Sequence, residues 1–158
     1  MLEEFSLGTF SESEKEALNC AWHRLDPWPD AVAGLERLKQ RYMIGTLSNG
    51  NIALIANMAK YARLPWDVIL GAEIARAYKP QPQAYLGSAA ALSLKPQQCM
   101  LVAAHNSDLK AALDCGFRTA FVERPFEHGP DQSTDLVASG NYDFIASDFV
   151  DLATQLKC

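Results

Sequence analysis

The sequence predicts an α/β fold, a doubly wound parallel sheet with helices on both faces, and three observations carry that prediction. Apolar runs of strand length at 42–47, 99–104, 119–122 and 142–147 alternate with segments of helical periodicity. The first and second of these runs hand over to small polar residues and then to a helix, at YMIGTLSNGN (42–51) and at CMLVAAHNSD (99–108). No repeat, low-complexity segment or linker interrupts the alternation, so the 158 residues read as one domain by length.

Taken in order, Phe5 to Phe10 alternates weakly, and Gly8 makes it a loop leading into a helix. Ser11 with Glu14, or Ser13 with Glu16, forms a capping box for a helix to about Leu25, with Leu18, Ala21, Trp22 and Leu25 on one face. Pro27 and Pro29 end it. Asp30 caps a second helix, AVAGLERLKQR, with Val32, Leu35 and Leu38 facing one way, and this delivers the chain to the strand at Tyr42. IALIANMAKYARL is a helix closed by Pro65, WDVILGAEIA a buried strand or turn, and ARAYKPQP (75–82) a proline-punctuated loop carrying Lys79. A helix from about Gln83 to Leu92, a break at Lys95-Pro96, the strand 99–104 and a helix stopped by Gly116 follow. The strand 119–122, the loop ERPFEHGPDQS, the strand YDFIAS and the helix DFVDLATQLK complete the chain.

Composition narrows the function. A net charge of −5 with no run of Lys or Arg argues against nucleic acid or an anionic membrane as partner and favours a small ligand. Cys20, Cys99, Cys115 and Cys158 have no CxxC spacing, and His23, His105 and His128 do not stand at zinc-finger spacing beside them, so the thiols read as reduced and mostly core. Acidic residues replace the basic start of a signal peptide and no apolar run reaches membrane-spanning length, which points to a cytoplasmic protein. GxGxxG, a P-loop and a basic aromatic stripe are absent.

Ligands of such folds bind beyond the carboxyl ends of the strands. Three polar groups fall there: Ser48-Asn49, Lys79, and His105 with Asp108. A helix N-terminus with Ser48 and Asn49 beside it suits an anion, although both residues also fit a plain helix cap. A lysine near Asp108 would form a charge-assisted pair.

These motifs resemble a known family. TLSNG (46–50), AYKPQPQAY (77–85) and MLVAAHNSDLKAALDCGFRTAFVERP (100–125) are similar to the second, third and fourth motifs of the haloacid dehalogenase superfamily, in particular of the type II 2-haloacid dehalogenases. The likeness extends to WHRLDPWPDAVAGLERLK (22–39), ERPFEHGP (123–130) and YDFIASDFVDLA (142–153), in the same order and spacing. The resemblance implies a Rossmann-like core at 27–158 and, at 1–26, the remnant of a helical cap. It assigns Ser48 and Asn49 to the substrate carboxylate and departing halide, Lys79 to the cation beside the nucleophile, and Tyr85 to a substrate-side or lysine-supporting hydroxyl. Asp108 becomes the acid that orients Lys79 and positions water. An aspartate would displace halide from the α-carbon of a 2-halocarboxylate, and water would hydrolyse the resulting ester without a metal or other cofactor. The strand end Ala103-Ala104-His105 agrees with the metal-free branch, since the superfamily's phosphatases need a carboxylate there for Mg²⁺.

Two departures accompany the likeness. Ala103 and His105 stand where many such dehalogenases have Ser and Asn, which leaves His105 to place water or ligand or to donate from behind them. The first motif, an apolar strand ending in the nucleophilic Asp before Gly-Thr, is missing: Phe5 stands three residues before Gly8-Thr9, and Asp148 is followed by Phe149 and Val150. The missing strand is central in the family's sheet, flanked by 42–47 and 99–104. The expectations are therefore a hydrolase-family chain inactive by itself, a non-catalytic anion-binding module, a module completed by a homo-oligomer or a partner strand, or a fragment of a longer enzyme.

Overall fold

The computed structural model describes residues 10–158. Its elements are α1 (Glu12–Asn19), a 3₁₀ turn (Cys20–Arg24), α2 (Ala31–Lys39), α3 (Ile52–Ala62), α4 (Ala72–Ala75), α5 (Pro82–Ala91), a 3₁₀ turn (Pro96–Gln98), β1 (Met100–Ala103), α6 (Asn106–Asp114), β2 (Arg118–Val122), β3 (Phe144–Ala146) and α7 (Phe149–Gln155). The three strands are parallel in the order β1-β2-β3. The α/β class and parallel sheet thus stand as expected.

Period-two alternation along β2 builds a core on each face of the sheet. Phe121 packs with Tyr85, Leu109, Ala112, Phe117 and Tyr142, beneath α5 and α6. Ala120 and Val122 point the other way, onto Leu35, Leu38 and Leu152 of α2 and α7. Gly34 lets those two helices meet: a Cβ there would stand 2.4 Å from Cβ of Phe149. Beyond them, Arg37 donates to the carbonyls of Val150, in the first turn of α7, and of Cys158, and Arg41 donates to those of Leu156 and Lys157 just past the C-terminal end of that helix.

Several elements depart from expectation. The Ser11–Glu14 capping box forms, but α1 ends at Asn19 and tightens into a 3₁₀ turn instead of running to Leu25. Asp30 does not cap α2 with its side chain; its carboxylate accepts from Arg124 and from the Phe149 N–H, each at 2.8 Å, joining α2, α7 and the end of β2. Burial raises the Asp30 carboxyl, but the Phe149 N–H and Arg124 outweigh it and hold the group below its ordinary value. Residues 42–47 form no ladder strand, only a parallel bridge at Gly45 to Val68. Ile44 and Leu47 still pack into the two opposite cores, as strand residues would. Among the described residues, β1 has no ladder partner on the edge away from β2, the edge where the resemblance implies a central strand. Cys99, Cys115 and Cys158 are partly buried against the two cores, as expected of mostly core thiols, whereas Cys20 is exposed. Gly8-Thr9 and the stretch before them lie outside the described residues.

Candidate active site

The turn after residues 42–47 is fixed by its own side chains. Thr46 Oγ1 donates to the Leu70 carbonyl and accepts the Leu70 N–H at 2.9 Å, holding the bridged segment against residues 68–70. Ser48 Oγ accepts the Gly50 N–H at 3.0 Å, a local turn bond. The cap of α3 is Asn51, whose Oδ1 accepts the Leu54 N–H at 2.8 Å, so neither Ser48 nor Asn49 caps that helix. The Ile52 N–H is already taken by the Glu73 carboxylate at 2.9 Å, which places a negative charge from the chain itself at the positive end of α3.

Asn49 is thereby free to hold the lysine loop. Its Oδ1 accepts the Lys79 N–H at 2.7 Å and its Nδ2 donates to the Lys79 carbonyl at 3.2 Å, a two-point clamp on one residue's backbone. Pro82 starts α5 at a position that needs no N–H donor, and Tyr85 follows one turn later, fully buried. Asp108 lies in the first turn of α6, where the helix dipole favours a carboxylate.

Lys79, Asp108 and Tyr85 meet. Lys79 Nζ lies 2.5 Å from Asp108 Oδ2, and the Tyr85 hydroxyl donates to Asp108 Oδ1 at 2.5 Å, so each carboxylate oxygen has one donor. The lysine and aspartate side chains are 21% and 13% exposed, enough burial to weaken solvent screening while leaving the ammonium reachable from outside. Among the described residues Asp108 is the only acceptor of the Lys79 ammonium, which keeps two of its three N–H donors for a ligand. Burial pushes the Tyr85 phenol well above its ordinary value, and the hydrogen bond and charge of Asp108 push it further. Tyr85 is therefore a donor fixed in its neutral form.

His105 stands apart from this cluster. Its Nε2 lies 2.9 Å from Glu127 Oε2 and its ring is nearly parallel to that of His128, with no hydrogen bond to Lys79 or Asp108. Asp148 caps α7 by accepting the Asp151 N–H, an ordinary structural use. The structure also exposes residues that sequence reasoning missed. Asn106 ties the 123–139 loop to α6, with Nδ2 donating to Asp135 and to the Val137 carbonyl and Oδ1 accepting from Ser139 N–H and the Tyr142 hydroxyl. Its only sequence signal was an amide at the first position of a helix. Glu73 gave none, because its partner is 21 residues away.

A family model described as haloacid dehalogenase-like hydrolase matches residues 2–116, most of the chain. The chain belongs to this family. It is 33% identical over 113 residues to (S)-2-haloacid dehalogenase 4A of Burkholderia cepacia, covering 70% of this chain and 49% of that protein. It is 29% identical over 126 residues to (S)-2-haloacid dehalogenase 1 of Pseudomonas sp. strain CBS-3, covering 78% and 55%. The crystal structure of a defluorinating L-2-haloacid dehalogenase superposes with a TM-score of 0.96 at 51% identity, over 99% of this chain and 65% of that one. The chain thus spans about half the length of the sequence relatives it matches and about two thirds of that solved structure. A dehalogenase of Xanthobacter autotrophicus, at 23% identity and a TM-score of 0.80, shares the fold. No helix among the described residues is long and apolar enough to cross a membrane.

Proposed function

We propose that this chain supplies the lysine-and-acid half of a hydrolytic (S)-2-haloacid dehalogenase site, acting on 2-haloalkanoic acids in the cytoplasm. The observation that carries this reading is the Lys79–Asp108–Tyr85 cluster held beneath the Asn49 clamp. In the proposed reaction a carboxylate oxygen attacks the α-carbon of the substrate, and the carbon–halogen bond breaks to release halide. Water then adds to the carbonyl of the ester so formed, giving a 2-hydroxy acid and the free carboxylate, with one proton released.

Lys79 would stabilise the attacking carboxylate and the substrate anion with its spare N–H donors. Asp108, fixed from behind by Tyr85, would orient Lys79 and the hydrolytic water. Ser48 and Asn49 would border the substrate carboxylate and the halide, and His105 would stand at the rim. The mechanism uses no metal or cofactor. Residues 1–26 would be the cap remnant and 27–158 the core. The motif that would carry the attacking carboxylate is missing from the sequence, and among the described residues no acid other than Asp108 meets Lys79, so the reading takes that carboxylate from a preceding segment such as the relative's N-terminal portion. The unpartnered edge of β1 supports a second reading, a module completed by a strand from a second copy or a partner.

Halide release from (S)-2-chloropropionate tests the proposal, measured on the 158-residue chain and on the same chain joined to the N-terminal portion of its 51%-identical relative. The chain alone should release none, and the joined, folded protein should turn over. Turnover by the chain alone, or inactivity of a folded joined protein, would overturn it.

A further inference from the structure

His105, Glu127 and His128 bring two imidazole nitrogens and a carboxylate oxygen within 4.8 Å of one another, outside the Lys79–Asp108–Tyr85 cluster. We propose that these three residues form a binding site for a zinc-class divalent transition metal, with a fourth position open to water or a small anion. Two imidazoles and one carboxylate are a donor set that zinc accepts, at bonds of about 2.0–2.2 Å that place tetrahedral ligand atoms roughly 3.3 Å apart. The His105–Glu127 separation of 2.9 Å is already close to this. Glu127 and His128 are exposed, so side-chain rotation alone can close the remainder.

The loop is held in place by other residues, so the ligands need not organise it. The Gln132 side chain accepts the His128 N–H at 3.0 Å and donates to the Arg124 and Thr134 carbonyls, fixing the turn that presents Glu127 and His128. Asp135 accepts from the Asn106 N–H and side chain, and Asn106 in turn holds Val137 and Ser139, which anchors the same loop beside His105.

Charge decides whether a cation fits at the start of α6. The positive end of the helix opposes it by roughly half a unit charge. Glu127 and Asp135 oppose that with two negative charges, and the hydrogen bonds from the Asn106 N–H and side chain hold the Asp135 carboxyl below its ordinary value. The balance therefore favours a cation. Burial raises the thiols of Cys99 and Cys115, which makes them poorer competitors for the metal.

The test is titration of the 158-residue chain with Zn²⁺ by calorimetry and with Co²⁺ by absorption, alongside the exposed-site variants His128→Ala and Glu127→Gln, each checked for folding by circular dichroism. One equivalent should bind, the cobalt spectrum should lack thiolate charge-transfer bands, and each variant should bind at least tenfold more weakly. A hundredfold excess of Zn²⁺ over its Kd should raise the thermal midpoint by roughly 5–11 °C. The absence of saturable binding, a thiolate-dominated cobalt spectrum, or unchanged affinity in both folded variants would overturn the proposal. None of these readouts depends on dehalogenation.

Discussion

Replacing Tyr85 with Phe removes one atom from the centre of the site and leaves the packing in place. The ring stays edge-on to Phe117 at 6.2 Å, while the hydroxyl that donates to Asp108 disappears. A hydrogen bond to a charged acceptor contributes about 1.5–3 kcal/mol. Asp108 keeps Lys79 and is 13% exposed, so water replaces part of the loss and the lower figure, about 1.5 kcal/mol, applies at neutral pH. For a domain of this size that is a fall in thermal midpoint of roughly 3–6 °C. The variant also changes the response to alkali. The folded chain holds the Tyr85 proton above the ordinary value of 10.0, mainly through burial, whereas the unfolded chain loses it there. This contribution is complete below pH 10 and declines as pH rises, by about 1.4 kcal/mol per unit. Wild type and Tyr85→Phe should therefore converge above about pH 10 and cross about one unit later. Urea denaturation followed by tryptophan fluorescence from pH 7 to 11.5 measures both effects. Equal stability at pH 7 would refute the hydrogen bond, and a constant gap through pH 11 would refute the retained proton.

Other substitutions probe the frame around the site. Arg124→Ala leaves Asp30 without its ion pair and removes the guanidinium from over Trp28 and Phe149, and should cost about 3 kcal/mol in urea denaturation at pH 7. Because Asp30 is held below its ordinary value, that difference is present above about pH 4 and should shrink as acid protonates the carboxylate. Gly34→Ala gains about 1 kcal/mol of helix propensity but drives a Cβ to 2.4 Å from Cβ of Phe149, so a net loss of about 1–2 kcal/mol should appear in thermal denaturation. Thr119→Val replaces a fully buried hydroxyl that has no partner among the described residues, and should raise stability by about 1 kcal/mol in the same assay.

What the sequence made legible follows from how local each determinant is. The strand-to-helix handover at 99–108, the Ser11 capping box and the stop at Gly116 are written within a few residues, and the structure places them close to expectation. The meeting of Lys79 with Asp108 is a contact across 29 residues that motif order made visible in advance. Where a side chain has two suitable partners, the local pattern misleads. Asp30 has the chemistry of a helix cap, yet Arg124, 94 residues away, together with the Phe149 N–H, draws its carboxylate elsewhere. Asn49 has the chemistry of a cap as well, but Asn51 occupies that position and frees it for Lys79. The run 42–47 has strand composition, and Ile44 and Leu47 sit in opposite cores, but a ladder also needs a neighbour and only Val68 offers one bridge. The Glu127–His128 cluster with His105 was invisible because it depends on how Gln132 and Asn106 fold a loop.

Lys79 is the proposed working cation of the site. The most direct measurement of that role is the rate of halide release from (S)-2-chloropropionate by the chain joined to the N-terminal portion of its relative, with Lys79 intact, as Lys79→Arg and as Lys79→Ala. Turnover is expected with lysine, a loss on the order of a thousandfold or more with alanine, and at most partial rescue by arginine, whose planar fork does not reproduce a compact ammonium. Folded Lys79→Ala protein that releases halide at the rate of its parent would contradict that role.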